Sequence, residues 1–214
     1  MKYDLIIFDC DGTLVDTENL TNGLIATMLN EIGIPISEKE TIALFRGTSL
    51  LKIEQYIKEN IDNELDFDFE KVFRQRSKIL FEAELKAVEG AEDLLKKLEI
   101  PYCVASNGPQ VKMATTLAVT GLDKYFSAET IFSAYDINKF KPLPDLFLHA
   151  CDKMEGSAEN TLVVEDTLVG AIAARKAGMD VLIYAPEKNE QEQFIAQDYK
   201  VFDTYCNFYA KYLK

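Results

Sequence analysis

Asp9, Asp11 and Asp16 lie within eight residues, directly after an apolar run that ends at Phe8. Clustered carboxylates repel one another, and a buried one is costly unless it is paired or bound to a cation. Three more polar groups stand in comparable places. Ser106-Asn107-Gly108 follows the run YCVA, Lys141-Pro142 follows IFS by a short loop, and Glu165-Asp166 follows TLVV. Together they form a coherent chemical set. Asp9 and Asp166 can hold Mg2+ while it keeps several waters, as that ion prefers. A carboxylate can attack a phosphoryl group and become an aspartyl phosphate, and the metal screens the repulsion between the two anions. Asp11 can protonate the leaving oxygen and then take a proton from water, a role worth about 10²–10⁴ in rate. Gly12 frees the turn so that backbone N–H groups face a phosphate. Ser106 and Lys141 can donate to its non-bridging oxygens, and Lys141 can also keep the nucleophile ionised. Asp16 reads as structural, either capping a helix that starts near Thr17 or setting the hinge into it.

These groups can cooperate only if the fold gathers them. Five short, nearly continuous apolar runs read as strands buried on both faces: Tyr3–Phe8, Tyr102–Ala105, Thr130–Ser133, Thr161–Val164 and Val181–Tyr184. Helical patterns alternate with them at Glu89–Leu98, Val111–Thr120, Pro144–Met154 and Leu168–Ala177, the last ending before Gly178. The alternation predicts a doubly wound α/β fold with a parallel, Rossmann-like sheet. Parallel strands bring their C-terminal ends together, so the scattered polar groups should converge on one crevice. From Thr17 to about Leu85 only helical patterns occur, one of them opened by a capping box at Ser37 and Glu40. Four such helices predict a small bundle inserted after the first strand. The expected domains are residues 1–16 with 86–214 as the α/β core and 17–85 as a helical cap over the ligand-binding edge, where it would exclude water or select a substrate.

Composition narrows the function classes. The chain has 214 residues, 48% of them hydrophobic and 28% charged, which suits a globular fold, and its net charge of −13 makes nucleic acid and anionic membranes poor partners. No apolar run approaches the ~20 residues of a membrane span, and the opening Met-Lys-Tyr-Asp does not read as a signal peptide. Cys10, Cys103, Cys151 and Cys206 show no Cys-x-x-Cys spacing, so free thiols in a reducing cytoplasm are expected rather than zinc ligands or a disulfide framework. The single histidine, His149, has no second histidine near it in sequence and reads as structural.

The motifs resemble those of the haloacid dehalogenase-type phosphatases with a helical cap. DCDGTLVD looks like the first motif of that family, VASN the second, KPLPDLF the third and VVEDTLVGAIAARKAGM the fourth, in the family's order and over essentially the whole chain. The resemblance implies Asp9 as nucleophile and metal ligand, and Asp11 as acid/base that also offers its backbone carbonyl to Mg2+. It implies Asp166 as a metal ligand and Glu165 as a partner reaching the metal through water. Gly12, Thr13 and Asn107 would contact phosphate beside Ser106 and Lys141. Two departures stand out: Phe140 rather than Gly precedes Lys141, and Thr21 occupies the place where β-phosphoglucomutase-like members carry a cap histidine. The second favours hydrolysis over mutase chemistry.

For the leaving group, Arg46-Gly47-Thr48-Ser49 resembles a loop that the family turns toward substrate, or is a turn between two helices. Lys71, Arg74 and Lys78 share one helical face, which could meet a second anionic group or be a solvated face paired with Glu70 and Glu82. The wording of CVASNGP and FSAYDINKFKP is similar to family members acting on sugar phosphates, 6-phosphogluconate among them. The expected protein is a monomeric Mg2+-dependent phosphatase of a small phosphorylated metabolite. The alternatives are a phosphosugar mutase and, outside enzymes, a phospho-accepting signalling module, although such modules are shorter and lack both Asp-x-Asp-Gly-Thr and a helical insert.

Overall fold

The computed structural model describes residues 3–45, 48, 50–61 and 65–213. The chain divides into two compact units, residues 1–15 with 86–214, and residues 16–85.

The first unit is built on six parallel strands, β1 (Leu5–Phe8), β2 (Tyr102–Ser106), β3 (Ile131–Ser133), β4 (Thr161–Glu165), β5 (Asp180–Tyr184) and β6 (Lys200–Phe202), in the order β3-β2-β1-β4-β5-β6. Each residue of β1 is buried. Leu5 and Ile7 join Cys103, Ala105, Val163 and Ile183 in one core, which Phe147 and Ala150 of one helix and Ala171 and Ala174 of another also enter. Ile6 and Phe8 point to the opposite face and are equally buried, so the strand must be apolar at every position rather than at alternate ones. The sixth strand was not expected. It is a three-residue edge strand, too short for a periodic signal, and among the described residues it pairs only with β5.

The helices of this unit are numbered after four in the other. They are α5 (Ala91–Leu95), α6 (Gln110–Val119), α7 (Ala134–Ile137), α8 (Asp145–Lys153), α9 (Leu168–Lys176), α10 (Lys188–Ile195) and α11 (Tyr205–Phe208). Crossover helices between neighbouring parallel strands turn all six C-terminal strand ends to one edge of the sheet. Ile7 pairs with both Cys103 and Val163, and Phe8 with both Val104 and Val164. The residue after Phe8 therefore emerges beside the last residue of β4, which places Asp9 next to Glu165.

The second unit consists of α1 (Thr17–Glu31), α2 (Glu38–Phe45), α3 (Leu50–Asn60) and α4 (Phe69–Glu84) around a core that includes Ile25, Leu29, Phe45, Ile53, Ile57, Phe69 and Phe73. The capping box opens α2 as read: the Ser37 amide donates to Glu40 Oε2 at 2.9 Å, and the Glu40 amide donates to Ser37 Oγ at 3.3 Å. Thr17 is the first residue of α1 rather than its cap. Asp16 holds the N-cap place without a side-chain bond to the helix backbone, and its carboxylate accepts from the Asn19 amide instead. Arg74 pairs with Glu70 and Lys78 with Glu82 on an exposed face of α4. Lys71 is also exposed there, its amide capped by Asp68. Arg46, Gly47 and Ser49 lie outside the described residues. Among the described residues no helix is long and apolar enough to cross a membrane.

Candidate active site

Asp9 leaves β1 with its amide donating to the Val164 carbonyl at 2.9 Å, so its backbone is held by the neighbouring strand. Its carboxylate is almost fully buried and accepts from Lys141 Nζ at 2.5 Å. The same ammonium donates to Glu165 Oε1 at 2.8 Å and lies 4.6 Å from the centre of the Phe147 ring. One cation thus sits between two carboxylates, all three less than a tenth exposed. Burial drives the Asp9 carboxyl upward, Lys141 draws it back and Glu165 pushes it up again, with a net rise to about 7. For Lys141 burial opposes the charge, but Asp9 and Glu165 more than offset it, and the ammonium is held firmly protonated.

Glu165 is fixed from behind. Its Oε2 accepts from the amides of Asp166 at 2.9 Å and Thr167 at 2.8 Å, and from Thr167 Oγ1 at 2.8 Å. Thr167 also caps α9 by accepting from the Gly170 amide at 3.1 Å. Gly170 has a packing reason: a Cβ there would fall on the Glu165 carboxylate. Both oxygens of Glu165 are therefore engaged by the chain itself. Asp166 projects the other way, accepting from Thr13 Oγ1 at 3.1 Å. It packs against the backbone of Gly12, whose φ of 77° and lack of a side chain both suit the place, since a Cβ would run into the Asp166 carboxylate.

The expected phosphate contacts divide. Ser106 Oγ, buried, accepts from the Gly108 amide at 3.1 Å and has its own proton left to give. Asn107 instead grips the backbone of Lys141: its Oδ1 accepts from that residue's amide at 2.8 Å, and its Nδ2 donates to the carbonyl at 3.4 Å. It ties β2 to the loop carrying Lys141, a positioning role that the sequence did not reveal. Thr13 contributes its hydroxyl to Asp166, while its carbonyl accepts from the buried Tyr205 hydroxyl at 2.7 Å.

Two further residues were not anticipated. Thr167 holds Glu165, and its place before a helix starting at Leu168 was a legible cap signal. Lys112 donates to Asp11 Oδ2 at 2.7 Å. The other oxygen, Asp11 Oδ1, is buried with no hydrogen-bond partner among the described residues. Cys10, between the two aspartates, is buried, and burial together with its acidic neighbours pushes its thiol well up, so it stays neutral. His149 stands edge-on to Phe132 at 5.8 Å, as a structural histidine would.

The cluster also answers whether Mg2+ suits these residues. Four carboxyl groups (Asp9, Asp11, Glu165 and Asp166) meet two ammonium groups (Lys112 and Lys141), so acidic groups outnumber basic ones two to one. The remaining donors are carboxylate and carbonyl oxygens, the set a hard divalent cation prefers. Among the described residues no group of three His, Cys, Asp or Glu side chains is placed to hold a metal ion by itself.

Residues 6–184 match the model of the haloacid dehalogenase-like hydrolases, and the chain belongs to that family. Over 191 residues it is 35% identical to the 6-phosphogluconate phosphatase of Escherichia coli (strain K12), an alignment covering 89% of this chain and 86% of that one. It is 31% identical to the fructose-1-phosphate phosphatase YqaB of the same organism, covering 85% and 96%. Among solved structures, a conserved haloacid dehalogenase-like protein of unknown function from Agrobacterium tumefaciens superposes with a TM-score of 0.87 at 29% identity, covering 97% of this chain and 96% of that one.

Proposed function

We propose that the chain is a Mg2+-dependent phosphatase that hydrolyses a small phosphorylated metabolite, a sugar phosphate of the 6-phosphogluconate class, through a phosphorylated Asp9. The observation that carries this is the buried Asp9–Lys141–Glu165 arrangement, with Asp11 two residues on from Asp9 and one of its oxygens unpartnered. In this reading Asp9 Oδ attacks phosphorus and the bond to the ester oxygen breaks. The leaving oxygen keeps the electron pair and takes the proton from the Asp11 carboxyl. Water then attacks the same phosphorus and passes its proton to Asp11, and the bond to Asp9 breaks to restore the carboxylate. Lys141 and the Ser106 hydroxyl donate to the non-bridging oxygens, where fixed donors stabilise charge most. Asp9, Asp166 and the Asp11 carbonyl would hold Mg2+, which when bound supplies the positive charge that lets an anionic nucleophile approach an anionic ester.

Residues 16–85 are the cap domain in this reading, entering the chain directly after the Asp9–Asp11 loop. Hydrolysis is favoured over phosphate transfer between sugar positions. Thr21 donates its hydroxyl to the carbonyls of Thr17 and Glu18, and so does not take the place of a histidine proton shuttle. The substrate class rests on the named activities of the two relatives.

The test is inorganic phosphate release from a panel of 6-phosphogluconate, fructose 1-phosphate, other hexose phosphates, phosphoglycolate and nucleoside monophosphates, with Mg2+ or with chelator. Asp9→Asn is the blank. Mg2+-dependent release that disappears in the blank is expected, with the sugar phosphates turned over best. Release that survives Asp9→Asn would overturn the nucleophile, and release indifferent to chelator would overturn the metal.

A further inference from the structure

Lys112 sits in the first turn of α6, the third residue of a helix that begins at Gln110. A cation there opposes the helix dipole, whose N-terminal end is positive. The first turn carries no acidic residue to offset it, and Pro109 provides no side-chain cap. The compensation comes from 101 positions away, where Asp11 accepts the ammonium at 2.7 Å on Oδ2. The pair is partly covered, with Lys112 about a third exposed and Asp11 about a fifth. Such an ion pair is less screened than one on an open surface.

The two oxygens of Asp11 thus have different fates. Oδ2 is anchored, while Oδ1 is buried without a partner. An unpartnered buried oxygen is costly and needs a reason. An anchor on one oxygen restricts rotation about the Cβ–Cγ bond and so holds the other in a set direction. Catalytic groups that lose little motion in the transition state gain most from orientation.

We propose that Lys112 is a positioning residue for the proton-transfer step: it tethers Asp11 through Oδ2 so that Oδ1 is the oxygen that exchanges the proton with the leaving group. This rests on the phosphatase reading above. Lys112 acts through Asp11 and is not assigned a contact with the substrate.

The experiment separates the proton-transfer role from general damage by the leaving group. An alkyl alcohol must be protonated as it departs, whereas p-nitrophenolate departs readily without a proton. The ratio kcat/KM reports steps up to the first irreversible one and is therefore unaffected by slow release of phosphate from Asp9. Wild type, Lys112→Met (which keeps the apolar stem) and Lys112→Arg are compared on the best sugar phosphate of the panel and on p-nitrophenyl phosphate. For Lys112→Met, kcat/KM on the sugar phosphate should fall at least about tenfold, part of the 10²–10⁴ that proton transfer supplies. The fall on the aryl ester should be several times smaller. Lys112→Arg should recover most of the loss, and the inhibition constant of inorganic phosphate should stay within about twofold of wild type.

Equal losses on both esters would overturn the proposal in favour of a role in holding the phosphoryl group or the fold. A loss confined to KM, seen only with substrates carrying a carboxylate, would overturn it in favour of direct substrate binding. No loss on either ester from an active wild type would overturn the tether alone. A wild type that releases phosphate from no ester would overturn both the tether and the phosphatase reading.

Discussion

The Asp9 carboxyl makes a measurable demand on the metal-free protein. Burial first of all lifts its pKa to about 7, against 3.8 for an ordinary exposed aspartate. The folded chain therefore holds this proton more tightly than the unfolded chain does. The group favours folding most below pH 3.8, and that contribution is lost as the pH climbs toward 7. Asp9→Asn removes the titration and leaves Lys141 paired with Glu165. With one pKa unit worth about 1.4 kcal/mol, the penalty on wild type is about 2 kcal/mol near pH 5 and about 4 kcal/mol near pH 8. The stability of Asp9→Asn relative to wild type should thus grow by about 2–3 kcal/mol between those two pH values. For a chain of this length that is about 5–10 °C in melting temperature. The assay is thermal or urea unfolding in chelator at both pH values, followed at the higher pH by excess Mg2+. Added Mg2+ should close much of the gap, because it stabilises the carboxylate and not the amide. A difference between the variants that stays flat with pH would refute the reasoning, as would one that shrinks as pH rises. Either result would mean that Lys141 neutralises Asp9 more fully than its sharing with Glu165 allows.

Three other substitutions have defined outcomes. Lys141→Met leaves Asp9 and Glu165 buried without their cation and should cost about 3–5 kcal/mol in urea unfolding near neutral pH, with the loss shrinking on acidification as the carboxyls protonate. Gly12→Ala meets both a positive φ and the Asp166 carboxylate; phosphate release should collapse, whereas Gly33→Ala, with φ 87° and open space around it, should show only the backbone cost of about 1–2 kcal/mol and keep its turnover. Tyr205→Phe removes the donor to the Thr13 carbonyl in a fully buried place and should lower stability by about 1–3 kcal/mol; a melting temperature equal to wild type would show that this contact does not hold the loop.

Much of the α/β architecture was legible because a strand buried on both faces must be apolar throughout. Five of the six strands were readable as such runs, each within two residues of its observed ends. The sixth, Lys200–Phe202, escaped because an edge strand of three residues has neither length nor pattern. In the helical unit the Ser37–Glu40 box was readable because both partners lie within one turn. Asp16 takes the N-cap place of α1 without bonding the helix backbone through its side chain, a detail that only the backbone entering the helix decides.

At the site, residue types and strand ends were enough to bring Asp9, Asp11, Ser106, Lys141, Glu165 and Asp166 under suspicion. Carboxylates and a lysine directly after apolar strands have few other uses, and parallel strands must end together. What each group touches was decided only by the tertiary structure. Lys112 finds Asp11 across 101 residues, Asn107 grips the backbone of Lys141 across 34, and Tyr205 reaches the Thr13 carbonyl across 192. No local pattern encodes such pairings. They depend on strand order and register, and on which oxygen of a carboxylate is left over once its neighbours have taken theirs. The sequence alone supplied the residue types on which the proposed chemistry rests. The folded sheet decided that Lys141 is shared between two carboxylates and that Asp11 keeps one oxygen unpartnered, because burial and distance exist only after the strand ends have met.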